Sequence, residues 1–117
     1  MRAALLIAAL VGCAAAQPSA DLPSRAAVGE AIRQALACDA SEDASCAEQP
    51  RRIIVHSLRC RPDATPEHPG RVLCRFSGTQ VRRLRTREFG PECAWLDREP
   101  GDIWRIDIWP DADVCDT

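Results

Sequence analysis

The sequence predicts an α+β fold, with one N-terminal helix packed on an antiparallel meander of about four strands and stapled by disulfides. Three observations carry that expectation. A single stretch with helical periodicity occurs early, the apolar period shortens to two residues after Pro50, and six cysteines besides Cys13 are spread along a small chain. A helix followed by locally connected strands is satisfied most simply when the helix covers one face of the meander. There is no internal repeat and no second composition regime, so one domain accounts for the chain.

The chain opens Met1-Arg2, continues through an apolar stretch over 3–11 and reaches small residues at 12–16 before Gln17 and Pro18. This is the layout of a signal peptide over residues 1–16. Its apolar part is shorter than the about 20 residues a membrane-spanning helix needs. Two cleavage positions compete. Ala14-Ala15-Ala16 offers a small-x-small site for a cut after Ala16, whereas Leu10-Val11-Gly12-Cys13 resembles the lipobox of bacterial lipoproteins. The resemblance implies cleavage before Cys13 and acylation of that cysteine. It also implies, through Ala14 rather than an aspartate after the cysteine, retention at the outer membrane. The expected location is the periplasmic face of the outer membrane if Cys13 is lipidated, and the periplasm or exterior if it is not. Residues 17–22 read as a tether and 23–117 as the single disulfide-rich domain.

Within that domain, Val28, Ala31, Ile32, Ala35 and Leu36 form one apolar stripe at i, i+3, i+4 spacing and predict the helix. Pro23 suits its first turn, with Asp21 or Ser24 as cap. Gly29 is an unfavourable residue inside it. The helix should end near Cys38, because 39–50 is polar, acidic and closed by a proline. Strand character begins at 52–60, with Ile54, His56, Leu58 and Cys60 on one side. The segment 61–70, holding Pro62, Pro66, Pro69 and Gly70, must turn. The segment 71–76 alternates, with Val72, Cys74 and Phe76 on one face and Arg71 and Arg75 on the other. A further strand over 79–87 alternates poorly and should stop at Gly90-Pro91. The last hairpin runs from Cys93 to Leu96, turns through 97–102, and returns over 103–109 with Trp104, Ile106 and Ile108 inward.

The six remaining cysteines, Cys38, Cys46, Cys60, Cys74, Cys93 and Cys115, are even in number and contain no C-x-x-C pair, which favours three disulfides over a metal knuckle or a redox site. Six cysteines allow 15 connectivities. Sequential pairing is the preferred one: Cys38 with Cys46 across the acidic loop, Cys60 with Cys74 across the first hairpin, and Cys93 with Cys115 tying back the tail. The helix-then-meander order is similar to cystatin-like folds, a likeness of topology alone. The glutamine-valine-glycine inhibitory motif of that family is not reproduced, since Gln80-Val81 is followed by Arg82.

Charge is segregated along the chain. Residues 51–87 carry a net of +8 and 88–117 a net of −7, and every basic residue is arginine. The complete absence of lysine, asparagine and tyrosine fits codon bias and weakens any argument from arginine count alone. The run Arg82, Arg83, Arg85 and Arg87 is the candidate binding cluster, suited to phosphate, lipid headgroups or an acidic partner. Its bland alternative is pairing with acids such as Asp102 and Asp107 on neighbouring strands. Trp95 and Trp109 are candidate binding aromatics, against the ordinary alternative of core packing. Neither histidine has catalytic or metal-ligand spacing. His56 reads as a packed, hydrogen-bonded imidazole, and Ser57 beside it points to the opposite face. Asp111, Asp113 and Asp116 lack the glycine-turned loop of a calcium site.

No catalytic residue, metal site or cofactor is expected. The sequence predicts a non-enzymatic envelope protein, a small lipoprotein that binds an envelope protein or cell-wall component and does not bind nucleic acid. Two alternatives stand beside it: an exported inhibitor that inserts its 61–70 loop into the cleft of a hydrolase, and a small hydrolase using Asp97, Glu99 and Asp102 near one turn.

Overall fold

The computed structural model describes residues 22–37, 49–110 and 112–116. The signal peptide, the lipobox with Cys13, the tether up to residue 21, and the Cys38–Cys46 pairing lie outside those residues, as does Asp111. The described chain is one helix, α1 (Arg25–Ala35), and four strands, β1 (Arg52–Pro62), β2 (Val72–Val81), β3 (Thr86–Glu99) and β4 (Ile103–Ile108), followed by a 3₁₀ turn over Ala112–Asp116. The strands form one antiparallel sheet in the order β1-β2-β3-β4, the expected meander, with α1 packed against β1 and β4.

Ser24 caps α1, its hydroxyl accepting from the Ala27 amide at 3.1 Å, while Pro23 is buried just before the cap. Val28, Ala31 and Ile32 bury against the sheet as the periodicity predicts. Ala35 and Leu36 do not; both are exposed and the helix ends there, short of Cys38. Gly29 has a positional reason. A Cβ built on it would lie 2.9 Å from the Ile53 carbonyl oxygen, so only glycine lets the helix approach β1 this closely.

The core gathers Val28, Ala31 and Ile32 from α1 with Val55, Val72, Cys74, Phe76, Ala94, Leu96 and Trp104 from all four strands. Cys60 faces Cys74 directly in the β1–β2 register, their Cα atoms 4.1 Å apart, and the two form a disulfide. A second disulfide joins Cys93 to Cys115 and ties the 3₁₀ turn to the sheet. Both are the sequential pairs expected.

The sheet departs from simple alternation at three register shifts, between Val55 and Ser57, Phe76 and Gly78, and Trp95 and Leu96. A bulge inserts one residue, so every side chain beyond it changes face. Hence Ile53 and Val55, rather than Ile54, join Leu58 and Cys60 against the core, and His56 is exposed. The expected strand over 79–87 is a correction too. It is the end of β2, a turn, and the start of β3. That strand runs through Gly90-Pro91 instead of stopping, because those two residues fall in the bulge opposite Ser77, where no ladder bond requires the proline N–H. The turn into β4 is tighter than the expected 97–102, because 97–99 pair with 103–105 as the end of β3, leaving a turn at 100–102 with Gly101 (φ 88°) and Asp102 (φ 62°) in the left-handed region. Trp104 and Ile106 pack inward, but Ile108 is 46% exposed.

Candidate functional site

The arginine run is not a strand face. Arg82 donates its backbone amide to the Arg85 carbonyl at 2.8 Å, closing a tight turn that carries Arg83 and Leu84 at the apex between β2 and β3. Leu84 is 89% exposed, far more than any other exposed large apolar side chain described, the next being Ile103 at 48%. Arg83, Arg85 and Arg87 are exposed, while Arg82 is half-buried and donates to Gln80 Oε1 at 3.0 Å. The register sets further arginines beside this turn. Arg52 pairs with Val81, Arg51 donates its amide to the Val81 carbonyl, and Arg87 pairs with Gln80. Arg51 and Arg52 also line a groove with Arg25, Arg33 and Glu30 between α1 and β1. The nearest strand acid, Glu88, accepts from the Thr79 hydroxyl at 2.9 Å, and that hydroxyl lies 2.8 Å from His56 Nε2. A hydroxyl has one proton to give, so the imidazole donates to Thr79 and the histidine bridges β1 to β2.

The acids proposed as partners for the arginine run are engaged at the opposite end of the sheet. Asp97 accepts two hydrogen bonds from Arg71, at 3.1 and 3.2 Å, and Asp107 accepts a third. His68 Nδ1 lies 3.1 Å from Asp97 Oδ2. The Arg71 side chain is only 10% exposed, and Asp97 first, then Asp107, hold its guanidinium protonated even more firmly than usual. His68, Asp97 and Asp107 place one ligand atom each within 4.8 Å of one another, an arrangement that could receive a metal ion. Here Arg71 already bonds both carboxylates, and a divalent ion would have to displace it. Asp102 likewise accepts from Arg98 and Glu99 from Arg105 at 2.8 Å, so each carboxylate near the last turn faces an arginine.

The 61–70 loop is tied down on this same face. Asp63 donates its amide to the Arg71 carbonyl at 2.9 Å and accepts from Trp95 Nε1 at 2.6 Å, and Thr65 and His68 bond each other's backbone. Trp95 is thus half-buried and braces the loop. Trp109 is 41% exposed, with its ring edge-on to Phe76 at a centroid distance of 6.1 Å. Leu73 and Cys93 are buried on the face away from α1, beside the 3₁₀ turn. Between that turn and β1–β2 lies a cleft of about 170 Å³ lined by Arg59, Arg61 and Arg75, the last ion-paired to Asp116.

The structure therefore brings Arg82, Arg83, Arg85 and Arg87 together at one end of the sheet and sets Trp95 and Trp109 elsewhere. Sequence reasoning did not identify Leu84 or the Arg71 network. Leu84 had a signal, being the single apolar residue inside the arginine run. The network had none, since its members are brought together only by the strand register. No protein-family model matches the chain, nor does any curated protein or any solved structure.

Proposed function

We propose that the chain is an exported, non-enzymatic binding module of the bacterial envelope, held near the outer membrane through Cys13 where that residue is acylated. The observation that carries this reading is the pair of disulfides, Cys60–Cys74 and Cys93–Cys115, closing one small domain behind an apolar leader. Disulfides persist in oxidising compartments outside the cytosol, and small domains there rely on them because their cores are limited. No helix among the described residues is long and apolar enough to cross a membrane, so a lipid anchor would be the simplest means of retention. The pairing of Asp97, Glu99, Asp102 and Asp107 with Arg71, Arg98 and Arg105 favours binding over hydrolysis. The 61–70 loop is anchored to Trp95 and Asp97, a rigidity that keeps an exported inhibitor as the second reading.

The test is an intact mass of the protein from a native envelope fraction, with and without reduction and thiol alkylation. A start at an acylated Cys13, with thiols that alkylate only after reduction, is the expected result. A start at Gln17 would make the protein soluble. Thiols that alkylate freely without reduction would sink the export argument.

A further inference from the structure

We infer that the β2–β3 turn, with Leu84 at its apex and Arg83 beside it, docks on an anionic phospholipid surface. The inference deepens the envelope-module reading and rests on it for the presence of such a surface. Four features point this way. Leu84 is 89% exposed, an arrangement that costs free energy in water and is relieved only when something apolar covers it. The apex is a projecting turn, not a groove, so it fits a soft plane into which one side chain can sink better than a ligand that must be enclosed. Arg83 and Arg87 are exposed, Arg51 and Arg52 lie beside them by register, and guanidinium groups match phosphate oxygens in a two-pronged geometry. Arg82 and Arg85 make other contacts within the chain and are not needed for this count.

The fourth feature is the charge asymmetry of the whole domain. By register Arg51, Arg52 and Arg87 gather with Arg83 at the turn end, beside Glu88, whereas Asp97, Glu99, Asp102 and Asp107 lie at the far end of the sheet. A molecule so polarised turns its basic end toward a negative surface before contact, which presents Leu84 first. Each arginine held at such a surface contributes a factor of roughly five in affinity. Burying one leucine side chain adds a factor of about ten.

The experiment uses the full oxidised chain carrying Cys13→Ser, so that no acyl group contributes. It is floated with vesicles of equal parts phosphatidylglycerol and phosphatidylcholine, and with vesicles of phosphatidylcholine alone. Binding to the anionic vesicles only, weakened by added salt, is expected. Arg83→Glu should weaken it about fivefold or more, and Leu84→Asp roughly tenfold, with circular dichroism unchanged because neither side chain packs on the core. Equal binding to both vesicle types would overturn the inference, as would wild-type affinity in both variants. So would full binding by Leu84→Asp that soluble polyphosphate competes away, since that result assigns the turn to a soluble polyanion. The vesicle assay judges the turn and the thiol state in the envelope fraction judges export, so the two readings fail separately.

Discussion

At the scale of single residues, Arg71 does the most to organise the open face of the sheet. It stands just before β2 and reaches Asp97 on β3 and Asp107 on β4, so one side chain crosses two strand junctions. Because it is only 10% exposed, its removal would leave two carboxylates close together with no counter-charge. Arg71→Ala is expected to cost about 1.5–3 kcal/mol, read from the urea midpoint. Arg71→Lys should recover only part of this, since an ammonium cannot bond both carboxylate oxygens in parallel. Gly78 is the second such position. A Cβ there would lie 2.0 Å from the Ile54 carbonyl oxygen, a contact no side-chain rotation relieves. Gly78→Ala should therefore destabilise by roughly 1–3 kcal/mol or more by forcing β1 and β2 apart, again measured by urea unfolding.

At the scale of elements, α1 is a short helix whose stability comes from tertiary packing, with small additions from its exposed face. Glu30 accepts from Arg33 at 2.6 Å and from Gln34 at 3.1 Å, and the Arg33 bond, followed by the Gln34 bond, lowers its pKa from 4.5 to about 2. A carboxyl whose pKa is depressed by folding stabilises the native state above its unfolded value. That contribution is complete above about pH 4.5 and is lost as the pH falls through about 2. The group is more than half exposed, so solvent screening keeps the effect to roughly 0.2–0.5 kcal/mol. Glu30→Gln should show that small deficit at pH 7 and none at or below about pH 2, in parallel urea titrations.

The hairpins show which local features a sequence displays and which it hides. The turn before β4 was legible, though three residues shorter than expected, because Pro100-Gly101 demands a turn and Gly101 takes the positive φ that glycine accepts without penalty. The bulge at His56 was not. Nothing in Val55-His56-Ser57 distinguishes a bulged strand from a regular one, and the extra residue shows only in the pairing, where Val55 faces Gly78 and Ser57 faces Ser77. The arginine run shows the same limit. Its composition marked a binding candidate, but its placement on a turn rather than on a strand face depends on where β2 stops pairing with β1.

For the whole molecule, the two disulfides act on different parts of the fold. Cys60–Cys74 joins adjacent strands at directly opposed positions, whereas Cys93–Cys115 closes a 22-residue separation and holds the C-terminal turn against Leu73 and Cys93. By loop-closure entropy each contributes roughly 3 kcal/mol. The double substitution Cys93→Ala with Cys115→Ala is expected to lower global stability by about that amount. It should also expose the 3₁₀ turn to proteolysis before the sheet unfolds, which limited digestion followed by mass spectrometry would detect. Simultaneous loss of protection across β1–β4 would instead mean that the tail and the sheet unfold as one unit.

By itself the sequence determined the class of this protein, one helix and a four-stranded meander in chain order, because periodicity and turn residues are local properties carried within each segment, while cysteine spacing favoured but did not fix the two cross-links. Only the tertiary structure decided which side of each strand faces the core, that Arg71 satisfies Asp97 and Asp107, and that Leu84 projects among arginines at the basic end. Those outcomes depend on strand register and on bulges, which arise from how two distant segments fit against each other, and no single segment encodes that fit.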